Sequence, residues 1–225
     1  MARLSLFKRI TALFILFLAV LIFARIGYTG SKKYIFLLWN IFLAWIPFGL
    51  SLYIHKCRIF KSWKTLSVLA CWLLFFPNAL YVVTDLIHLQ EEASVPAWYD
   101  AILLFTASIL GLLYAFASLY KIEQFLNRHL KSSVVTGQLT LFFIFAGSFG
   151  VYLGRFDRWN SWDIVTYPHH LLRDIANYCT APVHHYRIWL ITLIFTAFFS
   201  LMYYAIKQLP GLMHEKRSFK NQAQG

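Results

Sequence analysis

Apolar residues fall into six continuous runs, at 10–24, 34–54, 66–84, 101–120, 134–153 and 188–206. Each approaches the length of about 20 residues that crosses a hydrocarbon core as a helix. None alternates apolar and polar positions as a barrel strand would. The pattern predicts an all-α, polytopic transmembrane bundle of about six spanning helices, forming a single domain over 1–213. The polar stretch 214–225 reads as an unstructured tail. Basic residues ahead of the first run give it the look of a signal peptide. Ile22 and Ala24 before Arg25 make a poor cleavage pattern, so a retained helix starting near Leu4 is expected.

Composition agrees with this division. Hydrophobic residues make up 60% of the 225-residue chain and charged ones 13%, and the mean hydropathy is +0.60. An ordinary soluble domain carries about 25% charged residues, so a water-soluble or disordered chain is excluded. The net charge of +12 reads as flanking orientation signals and headgroup contacts, and no nucleic-acid partner is expected. Alternate loops carry fourteen and seven of the Lys and Arg residues. The excess predicts cytoplasmic termini in an inner (cytoplasmic) membrane. Seven of nine acids and five of eight histidines fall on the opposite, outer side. Cys57, Cys71 and Cys179 are too far apart in this topology to form a disulfide.

Small residues predict close helix approaches. Ala101, Ser108, Gly111, Ala115 and Ser118 share one face of the fourth span, and Ala146, Gly150 and Gly154 recur every four residues in the fifth. Pro47 and Pro77 predict kinks.

Two segments carry the candidate chemistry. In the first, Phe76-Pro77-Asn78 through His88-Leu89, an α-helical period places Asn78, Tyr81, Asp85 and His88 within about 80°. A polar stripe at that depth must face protein or water. The second runs from Gly154 to Asp163. Arg155 and Arg158 offer forked donors to an anionic group or to the acids; Trp159 and Trp162 suit the headgroup belt; Asn160 adds an amide. Contact between the two segments is expected. Pro168 opens a short interfacial helix in the last outer loop, with Leu171, Leu172, Ile175 and Tyr178 on its apolar side.

An outer-face enzyme, a metal-assisted hydrolase or transferase acting on a lipid-linked or anionic substrate, would use Asp85, His88 and Asp163 as catalytic groups. Asn78, Tyr81, Arg155, Arg158, Trp159, Asn160 and Trp162 would bind substrate. Asp85, His88, His169 and His184 are the candidate ligands of a divalent metal, although their spacing matches no strong metal signature. A transporter is the alternative, weakened by an inner half that offers Asn40 and Cys71 but no intramembrane acid or base. A non-catalytic component that binds a partner through its outer loops is the third reading. Membrane lipid is the expected surrounding partner in all three.

Phe76-Pro77-Asn78-Ala79, Tyr81, Thr84-Asp85-Leu86-Ile87-His88-Leu89, Gly154-Arg155-Phe156 and Arg158-Trp159-Asn160-Ser161-Trp162-Asp163 together resemble an uncharacterised bacterial family of integral membrane proteins, domain-of-unknown-function family 1361. Arg-Trp-Asn-Ser-Trp-Asp is the more specific string. The resemblance extends over most of the chain and implies a bacterial multi-pass membrane protein. It supplies no activity.

Overall fold

The chain is all-helical in a computed structural model that describes residues 2–89 and 95–222, with side chains described over 4–89 and 95–209. The elements are α1 (Ala2–Thr29), α2 (Phe36–Lys56), α3 (Trp63–Tyr81), the 3-10 helix η1 (Val82–His88), α4 (Ala97–Leu130), α5 (Ser133–Arg155), α6 (Asp163–Thr166), α7 (Pro168–Thr180) and α8 (Tyr186–Gln222). Six helical stretches are long and apolar enough to cross a membrane: Leu4–Thr29, Phe36–Lys56, Trp63–His88, Ala97–Leu130, Ser133–Arg155 and Tyr186–Leu209. Each contains its predicted run apart from the first two residues of the second. Glu91 and Glu92 lie outside the described residues. The side chains of the expected tail at 214–225 do so as well.

Central in the bundle, α4 packs against α1, α2, α3, η1 and α5, while α8 lies along α5. Its small residues explain that position. Ala107, Ser108, Gly111, Ala115 and Ser118 are buried, and a Cβ on Gly111 would fall 2.8 Å from Val82 Cβ and 2.9 Å from the Ala79 carbonyl oxygen. The α4 backbone therefore touches α3 where it tightens into η1. A two-residue corner joins α4 to α5. Lys131 adopts a left-handed φ of 51°, and the Ser132 hydroxyl caps α5 by accepting from the Val135 N–H, as helix ends require.

The interface of α3 and α5 is equally tight. Gly147 meets Phe76, Gly150 meets the Pro77 ring and Gly154 approaches Tyr81. The contact row is thus Gly147, Gly150 and Gly154, with Ala146 turned to one side of it. Pro77 removes one helix N–H, and neighbouring side chains supply donors around the kink. Ser161 Oγ donates to the Leu74 carbonyl at 3.1 Å, and Asn78 Nδ2 donates to that of Phe75 at 3.1 Å.

Four expectations change. The stretch after Tyr81 is 3-10 and not α, so residues three apart align, Tyr81 with Thr84 and Asp85 with His88. The helix of the fourth span does not stop near Tyr120. It continues to Leu130, and Glu123 is buried there, paired with Lys207 Nζ at 2.5 Å and hydrogen-bonded to Tyr203. Asn40, expected in the inner half, sits at the other end beside Asp85. Arg25, counted as a loop cation, is 2% exposed and paired with Asp100.

A methyl group at Gly150 would lie 2.5 Å from Pro77 Cγ. Gly150→Ala is expected to destabilise the bundle by about 1–3 kcal/mol, the usual cost of overpacking. Gly137→Ala, with nothing within 4 Å, is expected to leave stability unchanged or slightly raised. Unfolding in mixed micelles compares the two.

Candidate functional site

Arg155 ends α5 opposite η1, and the two candidate segments meet around its guanidinium. Nη2 donates to Asp85 Oδ1 at 2.5 Å, Nε donates to Thr84 Oγ1 at 2.8 Å, and Nη1 lies 3.2 Å from His88 Nε2. An arginine only donates, so His88 Nε2 is the acceptor in this contact. The flat face of the guanidinium stacks 4.2 Å from the centre of the Tyr81 ring. Asn40 Nδ2 donates to Asp85 Oδ2 at 2.8 Å. The carboxylate of Asp85, 1% exposed, is thereby satisfied from α2 on one side and α5 on the other.

A second ion pair adjoins the first. Arg25 holds Asp100 through Nε to Oδ1 at 2.8 Å and Nη2 to Oδ2 at 3.1 Å. The Tyr34 hydroxyl is 3.1 Å from Asp100 Oδ2 and 3.2 Å from the His88 carbonyl oxygen. A connected polar network therefore runs from α1 through α4 and η1 to α5 and α2. Thr84, Asn40, Tyr34, Arg25 and Asp100 belong to it and were missed by the sequence reading. Thr84 had a signal in the three-residue period of a 3-10 turn. The others have none, because their partners lie 45 or more positions away.

Beside this network lies a cavity of about 320 Å³, within the usual range of about 300–1,000 Å³ for ligand sites. Its floor is α3 from Leu73 to Tyr81, its walls are α2 and α5, and its roof is the 159–162 turn with Ile164, Leu171 and Ile175. Leu43, Leu73, Ala146 and Phe149 make one end apolar. Ser161 sits midway, between the Leu74 carbonyl and Asn78, and Asn40, Tyr81 and Asn160 stand towards the other end among Trp39, Leu153, Trp159 and Trp162. Trp39, Trp162 and Ile164 are 54%, 42% and 42% exposed and mark the mouth. Asn78 Nδ2 donates to Ser161 Oγ at 2.7 Å and ties roof to floor.

The remaining predicted residues occupy different places. Trp159, Asn160 and Trp162 line the cavity. Asp163 faces its own turn, accepting from the Asn160 N–H at 2.6 Å, Asn160 Nδ2 at 3.2 Å and Thr166 Oγ1 at 3.2 Å. It shapes the roof without entering the cavity. Arg158 is exposed at a left-handed φ of 61°. His169 and His184 are exposed. Among the described residues, no three His, Cys, Asp or Glu side chains come together as a metal set.

The interfacial helix is α7, opened by Pro168 at its first turn. Leu171 and Ile175 face the cavity, but Leu172 is 60% exposed. Tyr178 donates to Asp157 Oδ2 at 3.0 Å. Burial holds the Asp157 carboxyl above the usual carboxylate range, against the lowering effect of that bond. Burial and the neighbouring carboxylate push the Tyr178 hydroxyl up.

The family described as "Protein of unknown function (DUF1361)" matches residues 39–202, and the chain belongs to it. The matched region includes every cavity-lining residue. No curated protein and no solved structure matches the chain.

Removing one partner of a buried ion pair costs about 3–5 kcal/mol, and replacing both by apolar groups costs far less. Arg155→Met and Asp85→Leu are each expected to lose stability on that scale, and the double variant to regain much of it. A double-mutant cycle in micelles measures this, with Arg155→Lys as the control that keeps charge but loses the fork.

Proposed function

We propose that this member of the DUF1361 family binds an amphiphile, a lipid or lipid-linked substrate, at the outer face of a bacterial cytoplasmic membrane. Both termini are then cytoplasmic, in keeping with the two-to-one excess of basic residues on their side of the chain. The single observation that carries the reading is the cavity, apolar where Leu43, Leu73 and Ala146 line it and mixed elsewhere, with amides and the Tyr81 hydroxyl standing among apolar side chains. An amphiphile pairs an apolar chain with a polar headgroup in the same way. Apolar walls with a few convergent polar groups are the general form of small-molecule sites.

Binding is favoured over hydrolysis or group transfer. Asp85 and Asp163 would be the acids or bases of an enzyme, and both spend their oxygens on partners within the protein. The Ser161 hydroxyl likewise donates to a backbone carbonyl, away from any general base. The polar network is therefore assigned to holding the cavity open between α2, α3 and α5.

Ala146 lies at the apolar end of the cavity. Filling it in Ala146→Phe is expected to reduce co-purifying lipid at least fivefold, with helix content and thermal unfolding close to those of the parent. Native mass spectrometry of protein extracted from membranes reads the bound lipid. Equal lipid retention in the two folded proteins would overturn the reading.

A further inference from the structure

We infer that the mixed end of the cavity recognises an uncharged, hydroxyl-rich headgroup, such as the sugar of a glycosylated diacylglycerol, rather than a phosphate. The inference rests on the amphiphile-binding reading above and names the class of its ligand.

Among the described residues, no Asp, Glu, Lys, Arg or His borders the cavity. Arg155 is near, but its donors go to Thr84, Asp85 and His88, and Tyr81, which does border the cavity, covers its face. A phosphate ester needs donors and, in an apolar site, a compensating charge. Binding one here would require dismantling the buried pair.

Each amide nitrogen of the lining is pinned by an acceptor of the protein itself. Asn40 Nδ2 faces the Asp85 carboxylate, Asn78 Nδ2 the Phe75 carbonyl and Ser161, and Asn160 Nδ2 the Asp163 carboxylate. Acceptors at those positions fix which end of each amide is nitrogen. Three amide oxygens are left without a protein hydrogen bond, and none is among the sealed, unpartnered polar atoms of the described residues. The Tyr81 hydroxyl and the indole N–H groups of Trp39, Trp159 and Trp162 are also unengaged by hydrogen bonds. The free set is thus three amide oxygens, one hydroxyl, three indole N–H groups and the second N–H of the Asn40 and Asn160 amides. A phosphate, which accepts only, would leave the acceptors unmatched. Sugar hydroxyls donate and accept, and the indole rings offer apolar faces with a polar edge beside them. An ammonium headgroup would match the acceptors but would find no carboxylate in the lining to offset its charge.

The test uses the full chain, delipidated in a polyoxyethylene detergent so that no sugar detergent competes. Monoglucosyl diacylglycerol, phosphatidylglycerol, phosphatidylethanolamine and diacylglycerol with identical chains are titrated and read by native mass spectrometry. The expected result is binding of the glucosyl lipid at least about tenfold tighter than either phospholipid, a difference of about 1.4 kcal/mol. Tyr81→Phe keeps the ring over Arg155 and removes only the hydroxyl. It and Asn160→Ala are expected to shrink that margin. Equal affinities, or preference for either phospholipid, overturns the sugar assignment and leaves the cavity reading intact. No saturable binding of any of the four lipids overturns both.

Discussion

A guanidinium in apolar surroundings must have every donor met by the protein, since neither lipid nor packed side chains can supply an acceptor. Arg155 finds an acceptor for each of its three nitrogens within one short segment. Thr84, Asp85 and His88 all come from η1, and Tyr81 precedes it by one residue. The 3-10 conformation presents these groups in two adjacent rows on one side of the chain. Asp85 then needs a second donor and takes it from Asn40 on α2. The relative placement of α2, η1 and α5 follows from this one residue's hydrogen-bond demand. The glycines of α4 and α5 allow the backbones to come close enough for it to be met.

Charge and recognition are separated as a consequence. The ionised groups near the cavity are consumed in pairs, Asp85 with Arg155 and Asp100 with Arg25, and are joined through Tyr34 and the His88 carbonyl. What borders the cavity is neutral: amides, one phenol, a serine and indoles. Asp85 both anchors the helices and orients the Asn40 amide, and Asp163 orients that of Asn160. Asp163 acts in this second way without touching the cavity.

The opposite end of the bundle uses the same device once more. Glu123 on α4 holds Lys207 and Tyr203 of α8. With α8 otherwise packed mainly along α5, this pair fastens it to the central helix as well. Arg128 and His129 at the end of α4 reach carbonyl oxygens of His55 and Arg58, where helix ends leave acceptors unmet.

Local pattern determined the spans, the all-helical class, the short helix opened by Pro168 and the two segments around Asp85 and Arg155. Those properties depend on residues a few positions apart, so periodicity, length and proline placement contain them. Even the meeting of the two segments was legible, because a polar stripe at membrane depth demands a polar partner. Tertiary structure decided the remainder. Asn40, Tyr34, Arg25 and Asp100 become site residues only through contacts across 45 to 75 positions. Arg155 passes from candidate ligand-binding cation to internal anchor for the same reason. Asp163 turns inward to its own loop. The cavity exists only where α2 and α5 flank α3 under the 159–162 turn. Which donor meets which acceptor is a property of packing between helices, and no spacing along one helix encodes it.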